Sequence, residues 1–221
     1  MKITKKRFVL IALFIFPLLF FLVLSTGVNN FKKLPVLTQE VKDIQQIDSL
    51  SSISFKDRVN VLCFVGKNMD QIKGGVFNLN QKIYKEFYGH IAFQMIAIYP
   101  KGNEVDALLL QDKIGKFTDL TKWNFIAMSE ENIQSLFQSL KTVDVLDQDL
   151  YSHNVYIIDK DLRLRGRNDD KDALNGLLYG YNMNSVAELN NKMEDDIKVL
   201  LYEYRAAFKN KRKADRKKVE L

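Results

Sequence analysis

Cysteine and histidine are almost absent from this sequence. The chain has one cysteine, Cys63, and two histidines, His90 and His153. A single cysteine cannot form an intrachain disulfide, and so few ligands exclude a multi-cysteine or histidine-rich metal site. The sequence also lacks a Gly-Lys-Ser/Thr phosphate loop, a Ser/His/Asp set and a paired-carboxylate signature. These absences remove most common enzyme classes from consideration.

Positive charge is concentrated at the two ends of the chain. The net charge is +6, with four basic side chains in residues 1–7 and eight basic side chains against one acid in residues 205–218. The body between them is therefore mildly acidic. The basic tail, 209–221, either binds anionic lipid or an acidic partner, or is a solvated helix end whose cations stabilise the helix C-terminus. Nucleic acid is not an expected partner. The basic residues of interest in the tail are Lys211, Arg212, Lys213, Arg216, Lys217 and Lys218.

A long apolar run follows the N-terminal basic cluster. Phe8 to Leu24 contains no polar side chain, and Pro17 lies in its middle. A run of this length can cross the hydrocarbon core as a helix, and the preceding basic residues place the N-terminus in the cytoplasm. We predict an uncleaved signal anchor over 1–28, which spans the inner (cytoplasmic) membrane once and leaves the domain on the outer, periplasmic side. A cleaved signal peptide is the alternative, and a mature N-terminus near Val28 would indicate it.

Strand and helix patterns alternate over residues 57–208, after a polar juxtamembrane linker over 29–56. Apolar runs predict strands at 59–65, 91–99, 123–127 and 154–159, with a return strand at 162–166. Helical spacing predicts helices over about 69–88 and 104–117, from Ser129, and from Ser185 into the tail. The order is βαβ, α, βα, β-hairpin and terminal helix. It predicts an α/β, thioredoxin-like fold, a mixed β-sheet with helices on both faces, preceded by one transmembrane helix.

Each predicted helix contains mostly apolar residues that are spaced three or four positions apart along the chain, as on one face of a helix. The first carries Ile72, Val76, Leu79, Ile83 and Phe87, the second Val105, Leu108, Leu109 and Asp112, the third Ile133, Leu136, Phe137 and Leu140, and the terminal helix Val186, Leu189, Met193, Ile197, Leu200, Leu201, Tyr204 and Phe208. Gly74 and Gly75 interrupt the first pattern, at a cost of about 1 kcal/mol each relative to alanine. Either this helix begins after the pair, or the glycines allow close packing against the sheet.

Three stretches of the sequence resemble the SCO/SenC branch of thioredoxin-like proteins, which are membrane-anchored copper chaperones for cytochrome c oxidase assembly. Residues 59–65 resemble the first core strand of that family, which leads into a CxxxC motif. Residues 122–136 resemble its Trp-containing strand and helix, and residues 152–164 its histidine, strand and turn. The resemblance covers most of 55–205 and implies a thioredoxin-like fold.

The copper ligands of that family are two cysteines and one histidine, and this chain departs from the set. The CxxxC segment should lie near Lys67–Ile72, which contains no cysteine, and only His153 matches a ligand position. Cys63 lies inside the predicted strand, where a cysteine is usually a small hydrophobic residue. We therefore expect no catalytic residue, no cofactor and no tight copper site. His153 is then either a vestigial metal ligand or a loop histidine that is hydrogen-bonded near the hairpin.

Two functions are consistent with these observations. The first is a non-catalytic partner-binding or assembly factor outside the cytoplasmic membrane. By resemblance, its partner is an envelope protein or a protein of the respiratory oxidase complexes. The alternative is a thiol-dependent redox enzyme that uses Cys63 alone, and this would require Cys63 to lie at a helix N-terminus.

Overall fold

A computed structural model describes residues 5–25, 33–49 and 51–219 of the chain. The chain divides into two compact units, Met1–Lys32 and Lys33–Leu221. The first unit contains helix α1, Lys5–Ser25, with Pro17 inside it.

The predicted membrane span falls on helix α1. Within the described part of the chain, however, no helix combines the length and the apolar character that crossing a membrane requires. The side chains of Phe8 and Leu24, the predicted ends of the span, lie outside the described residues. The membrane crossing therefore stays a prediction.

The described residues of the second unit form one mixed sheet of seven strands. They are β1 Val36–Thr38, β2 Val59–Phe64, β3 Phe93–Pro100, β4 Trp123–Met128, β5 Asn154–Ile158, β6 Leu164–Arg165 and β7 Tyr181–Asn182. The order is β1-β6-β5-β2-β3-β4, and β7 pairs with β5. Strands β2, β3 and β4 are parallel, whereas β5 is antiparallel to β2, β6 and β7. A βαβ unit joined to an antiparallel hairpin is the thioredoxin-like arrangement, so the predicted element order is confirmed.

Helices cover both faces of the sheet, as predicted. They are α2 Ile44–Ile47; α3, in the segments Lys73–Leu79, Asn80–Tyr84 and Lys85–Phe87; α4 Glu104–Gly115; α5 Glu130–Ser139; and α6, in the segments Val186–Glu188, Leu189–Met193 and Glu194–Val219. Side chains of β2 alternate between two apolar clusters, because successive strand residues point to opposite faces. Val61 and Cys63 pack with α3, α4 and α6. Leu62 and Phe64 pack with α2 and α5.

The segment predicted as a linker is part of this folded unit from Lys33 onward. Strand β1 extends the sheet by pairing with β6. Ile44 and Phe55 are fully buried, and the carboxylate of Asp43 accepts hydrogen bonds from the backbone N–H groups of both. Val41, Ile44 and Phe55 pack in the same apolar cluster as Leu62 and Phe64 of β2. A linker over 29–56 is therefore too long a prediction.

Helix α4 forms where the spacing predicts a helix, but the residues that carry the pattern face outward. Val105, Leu108 and Leu109 are 71%, 64% and 54% exposed. The buried residues of this helix are Ala107, Leu110 and Ile114. Both faces of the helix are thus apolar, and periodicity alone does not distinguish the inner face from the outer.

Helix α6 follows its predicted start and most of its predicted stripe. The hydroxyl of Ser185 accepts a hydrogen bond from the Glu188 N–H (3.2 Å), whereas the Glu188 carboxylate accepts one from the Asn182 N–H (2.9 Å) instead of completing a capping box. Residues 189, 193, 197, 200 and 201 are buried, but Val186 is exposed. The side chain of Phe208 lies outside the described residues. The helix continues to Val219, past the predicted domain end at 208.

Candidate functional site

The loop after β2 lies at the corner of the fold where a strand, a short loop and a helix N-terminus meet. Gly66 begins this loop with φ of +65°, a left-handed conformation that favours glycine. A Cβ on Gly66 would lie 2.7 Å from the carbonyl oxygen of Asp149 and 2.8 Å from the Cβ of Tyr151. The next residue, Lys67, donates its N–H to the same Asp149 oxygen at 2.9 Å. The loop is therefore packed directly against the chain segment 147–151, which precedes β5.

Helix α3 starts directly after this loop and is packed just as closely. It begins at Lys73, so both Gly74 and Gly75 lie in its first turn. A Cβ on Gly75 would lie 2.6 Å from Oδ1 of Asn184, whereas a Cβ on Gly74 would meet nothing within 4 Å. The helix thus does not begin after the glycine pair, and Gly75 is closely packed, but against Asn184 and Met183 and not against the sheet as predicted. The contact brings Asn184 to the loop.

These segments enclose a small polar pocket with a volume of about 210 Å³. Its lining consists of Asn68, Gln71, Ile72, Asp147, Asp149, Tyr151 and Asn184. The Asn184 side-chain amide donates to the Tyr151 hydroxyl at 3.4 Å, and Oδ1 of Asp147 accepts the N–H groups of Asp149 and Tyr151, both at 2.9 Å. Amides, carboxylates and a phenol can together donate and accept hydrogen bonds, which suits recognition of a polar polypeptide segment.

Three ionisable groups in or beside the pocket, Tyr151, Asp70 and Lys67, keep their usual charge states. Burial raises the pKa of Tyr151, so its phenol is a neutral hydrogen-bonding group at physiological pH. At the rim, the hydrogen bond from Lys73 lowers the pKa of Asp70. The hydrogen bond to Glu130 (2.7 Å) raises the pKa of Lys67. The described lining contains no cysteine or histidine, so these groups can bind a ligand but supply no nucleophile of that kind.

Cys63 lies in the middle of β2, as predicted, and is fully buried. Its Sγ donates to the carbonyl oxygen of Ile96 at 3.4 Å. Burial raises the pKa of the Cys63 thiol to about 12, which leaves essentially no thiolate at neutral pH. The cysteine is therefore not at a helix N-terminus, the position that the alternative thiol-enzyme function requires.

His153 lies in the turn before β5, with an exposed side chain. Its backbone carbonyl accepts the N–H of Met183 at 2.9 Å. Within the described residues, no group of three or more His, Cys, Asp or Glu side chains is placed to hold a metal ion. One exposed imidazole and one thiol buried in the sheet do not match the two thiolates and imidazole of a copper chaperone. The residues present therefore do not fit a copper ion.

The remaining predicted site residues are at the chain ends. The backbone of the basic tail is helical up to Val219. The side chains of Lys211, Arg212, Lys213, Arg216, Lys217 and Lys218 lie outside the described residues, so their binding role stays a prediction.

Sequence reasoning did not find Asp147, Asp149, Tyr151 or Asn184. They lie in irregular segments without a period, and they reach the loop after β2 only through tertiary packing. The sequence did contain one signal. Tyr151 lies two residues before His153, which the resemblance matches to a copper-ligand position. That position marks the segment which faces the loop.

No protein-family model matches this chain, and no curated protein matches it. Several solved structures are similar to it. A SCO1/SenC family lipoprotein from Bacillus anthracis is 18% identical, with 79% of this chain and 99% of that chain covered and a TM-score of 0.45. The soluble domain of Sco1 from Bacillus subtilis is 16% identical, with 75% and 94% covered and a TM-score of 0.43. A thiol:disulfide interchange protein of the thioredoxin family from Chlorobium tepidum is 12% identical, with 79% and 99% covered and a TM-score of 0.45.

Two of these structures are described as SCO1/SenC or Sco1 proteins, the family that the sequence resembles. Identities at this level concern the fold alone. The fold assignment itself rests on the strand order, the strand directions and the helices on both faces of the sheet.

Proposed function

We propose that this chain is a non-catalytic protein that binds a partner and serves as an assembly factor, with its partner in a respiratory oxidase complex. The observation that carries the proposal is the pocket beside the loop 66–72. A polar cavity of about 210 Å³ occupies this corner of the fold, while the one cysteine is buried inside β2 with a pKa raised to about 12. The site is thus equipped for hydrogen bonding and lacks an accessible thiolate.

The setting of the proposed function comes from the sequence. The stretches 59–65, 122–136 and 152–164 resemble SCO/SenC proteins, which act in cytochrome c oxidase assembly. The apolar run from Phe8 to Leu24 supports attachment to the cytoplasmic membrane, and the preceding basic residues support a folded unit on its outer side. Carbonate extraction of native membranes tests the attachment, because an anchored chain stays in the pellet and a released chain appears in the supernatant.

The function is tested by purifying the tagged full-length protein from native membranes in a gentle detergent and identifying the co-purifying proteins by mass spectrometry. We expect oxidase or cytochrome subunits in stoichiometric amounts. We also expect Gln71→Arg to reduce them at least tenfold. Gln71 is exposed and lines the pocket, so a longer charged side chain fills the cavity without disturbing the core.

Gln134→Arg is the matched control, because it places the same side chain on the exposed face of α5, outside this pocket. It should leave co-purification unchanged. An unrelated envelope complex in place of oxidase subunits would contradict the respiratory assignment. Equal recovery with Gln71→Arg and Gln134→Arg would contradict the role of the pocket.

A further inference from the structure

The sheet ends on β4, and this edge has an unusual composition. Within the described residues, β4 has a single neighbouring strand, β3. The two strands pair without a break from Met95 opposite Trp123 to Pro100 opposite Met128. The four central residues of β4 are partly exposed. Among the described residues, the strand is therefore paired with another strand on one side only.

The open side presents the backbone groups of two residues. The Met95 N–H donates to the Lys122 carbonyl at 2.8 Å, and the Lys101 N–H donates to the Met128 carbonyl at 2.9 Å. Because alternate residues of a parallel strand bond to one neighbour, the even-numbered residues of β4 face β3. The N–H and C=O groups of Phe125 and Ala127 therefore point away from the sheet. None of the described hydrogen bonds outside the β3–β4 ladder involves them.

The two edges of this sheet differ in how they resist pairing with another strand. Natural edges are protected by short strands, prolines, bulges or charged side chains. The β1 edge is three residues long, follows Pro35 and has an irregular register between Val36 and Thr38. The β4 edge, Trp-Asn-Phe-Ile-Ala-Met, is six residues long and regular, and it contains no charge and no proline. Unlike the β1 edge, the β4 edge has none of these protections against strand addition along its described residues.

The helix that leads into β4 also presents apolar side chains to solvent. Val105, Leu108 and Leu109 form its exposed outer face. Contiguous exposed apolar residues on a folded domain mark interaction surfaces more often than single ones do. An open strand edge and an apolar helix face thus belong to one consecutive segment of the chain, 104–128.

We propose that two copies of this chain associate through their β4 edges, which pair antiparallel about a two-fold axis at Ile126. In this register, Phe125 lies opposite Ala127 of the second copy, and Ala127 lies opposite Phe125 of the second copy. The pairs exchange four backbone hydrogen bonds, which satisfy the N–H and C=O groups of Phe125 and Ala127 on both strands. A register with Phe125 opposite itself would need the Trp123 N–H, which already donates to Leu120 at 2.9 Å.

Charge favours a second copy as the occupant. Lys122 precedes β4, and Glu130 and Glu131 follow it. Antiparallel pairing brings Lys122 of one copy near the acidic first turn of α5 in the other, where Glu130 is paired with Lys67 and Glu131 adds a further negative charge. Parallel pairing would instead bring the two Lys122 side chains together. This association does not rest on the proposed function, because it uses a sheet edge rather than the pocket.

Disulfide trapping of the full-length chain in a gentle detergent tests the proposed register. Ile126 would face itself in a non-hydrogen-bonded pair with Cα atoms about 4.5 Å apart, a separation that a disulfide can bridge. We expect Ile126→Cys to form a covalent dimer under mild oxidation. The native Cys63 is buried and gives no background. Leu37→Cys on the β1 edge and Leu174→Cys on an exposed turn are controls, and we expect at least a fivefold lower yield from each.

A proline variant separates pairing from chance collision. Ala127→Pro removes an N–H that does not take part in the β3–β4 ladder, so the monomer keeps its sheet while the proposed pair loses two of its four hydrogen bonds. We expect this change to abolish trapping of Ile126→Cys, with circular dichroism and melting temperature retained. Trapping of Ile126→Cys at the level of the two controls overturns the proposal, as does undiminished trapping with Ala127→Pro in a folded chain. If the proline variant does not fold, the comparison with the two controls decides alone.

Discussion

At the scale of single residues, Cys63 shows how position in the fold sets chemistry. It is the one thiol of the chain, and it lies three positions before the loop where a thioredoxin-like protein can stabilise a thiolate. Inside β2, however, it contacts the carbonyl of Ile96, is fully buried and has a pKa raised to about 12. Its contribution is to packing, as expected for a small hydrophobic side chain.

This burial predicts a specific loss of stability at alkaline pH. The unfolded thiol ionises near its ordinary pKa of 9.0, whereas the folded thiol stays protonated up to about 12. Folding stability from this group is thus fully present below pH 9 and declines above it, by about 1 kcal/mol at pH 10. We expect Cys63→Ala to show a shallower alkaline decline than the wild type when the free energy of unfolding is measured in urea at pH 7, 9 and 10.

The buried tyrosines titrate in both chains, so the comparison isolates the thiol. Parallel declines in the wild type and Cys63→Ala would contradict the burial of Cys63. Thiol labelling gives a second measurement, and the native chain should react slowly until denaturant is added. Rapid labelling of the native chain at pH 7 would support the alternative thiol-enzyme function instead.

At the scale of elements, the first turn of α3 contains two adjacent glycines with different roles. Gly74 is open to solvent on its Cβ side, whereas Gly75 packs against Met183 and Asn184. A Cβ at position 75 would also lie 2.8 Å from Cγ of Met183. Gly75 therefore holds α3 against the segment that contributes Asn184 to the pocket.

We expect Gly74→Ala and Gly75→Ala to change stability in opposite directions. Gly74→Ala should stabilise the chain by up to about 1 kcal/mol, because alanine is the better helix former and its Cβ meets no atom. Gly75→Ala should destabilise it by about 1–3 kcal/mol, as expected for overpacking. Urea unfolding followed by circular dichroism measures both. Each variant is the control of the other, and equal effects would show that α3 and residues 183–184 are not in contact.

At the scale of the whole molecule, the segment before β2 contacts both β6 and the C-terminal helix α6. Arg165 donates to the carbonyl of Leu34 and forms an ion pair with Glu203 in α6 at 2.9 Å. The same guanidinium reaches the fully buried Asp159 at 2.9 Å. The Leu34 N–H donates to Glu203 at 2.7 Å. Breaking a buried network of this kind leaves uncompensated charge, which commonly costs 3–5 kcal/mol.

These contacts predict that residues 33–56 are required for folding. A chain that begins at Lys33 should unfold cooperatively, because its unit contains both apolar clusters. A chain that begins at Asp57 should not, because it loses buried Leu34, Val41, Ile44 and Phe55. At roughly 1.5–3 kcal/mol each, they amount to roughly 6–12 kcal/mol, against about 5–15 kcal/mol for a typical domain. Thermal unfolding by circular dichroism distinguishes the two chains. A cooperative transition in the shorter chain would show that residues 33–56 are a linker that folding does not require.

The sequence by itself determined the element order and most buried helix stripes of this protein. Residues 72, 76, 79, 83 and 87 are all buried as their spacing predicts, and the hydroxyl of Ser129 caps α5. Such patterns can be read locally, because a helix or strand repeats its contacts within a few residues. The burial of Cys63 followed in the same way from its place in an apolar β-rich run.

Only the tertiary structure decided which apolar face of α4 is buried, which of the two glycines is packed, and that residues 33–56 complete the sheet. It also assembled the pocket from residues 68–72, 147–151 and 184. Each of these features depends on contacts between residues far apart in the chain, for which the sequence carries no period. The physical reason is that a local pattern sets the conformation of a segment, whereas its burial depends on which other segments pack against it.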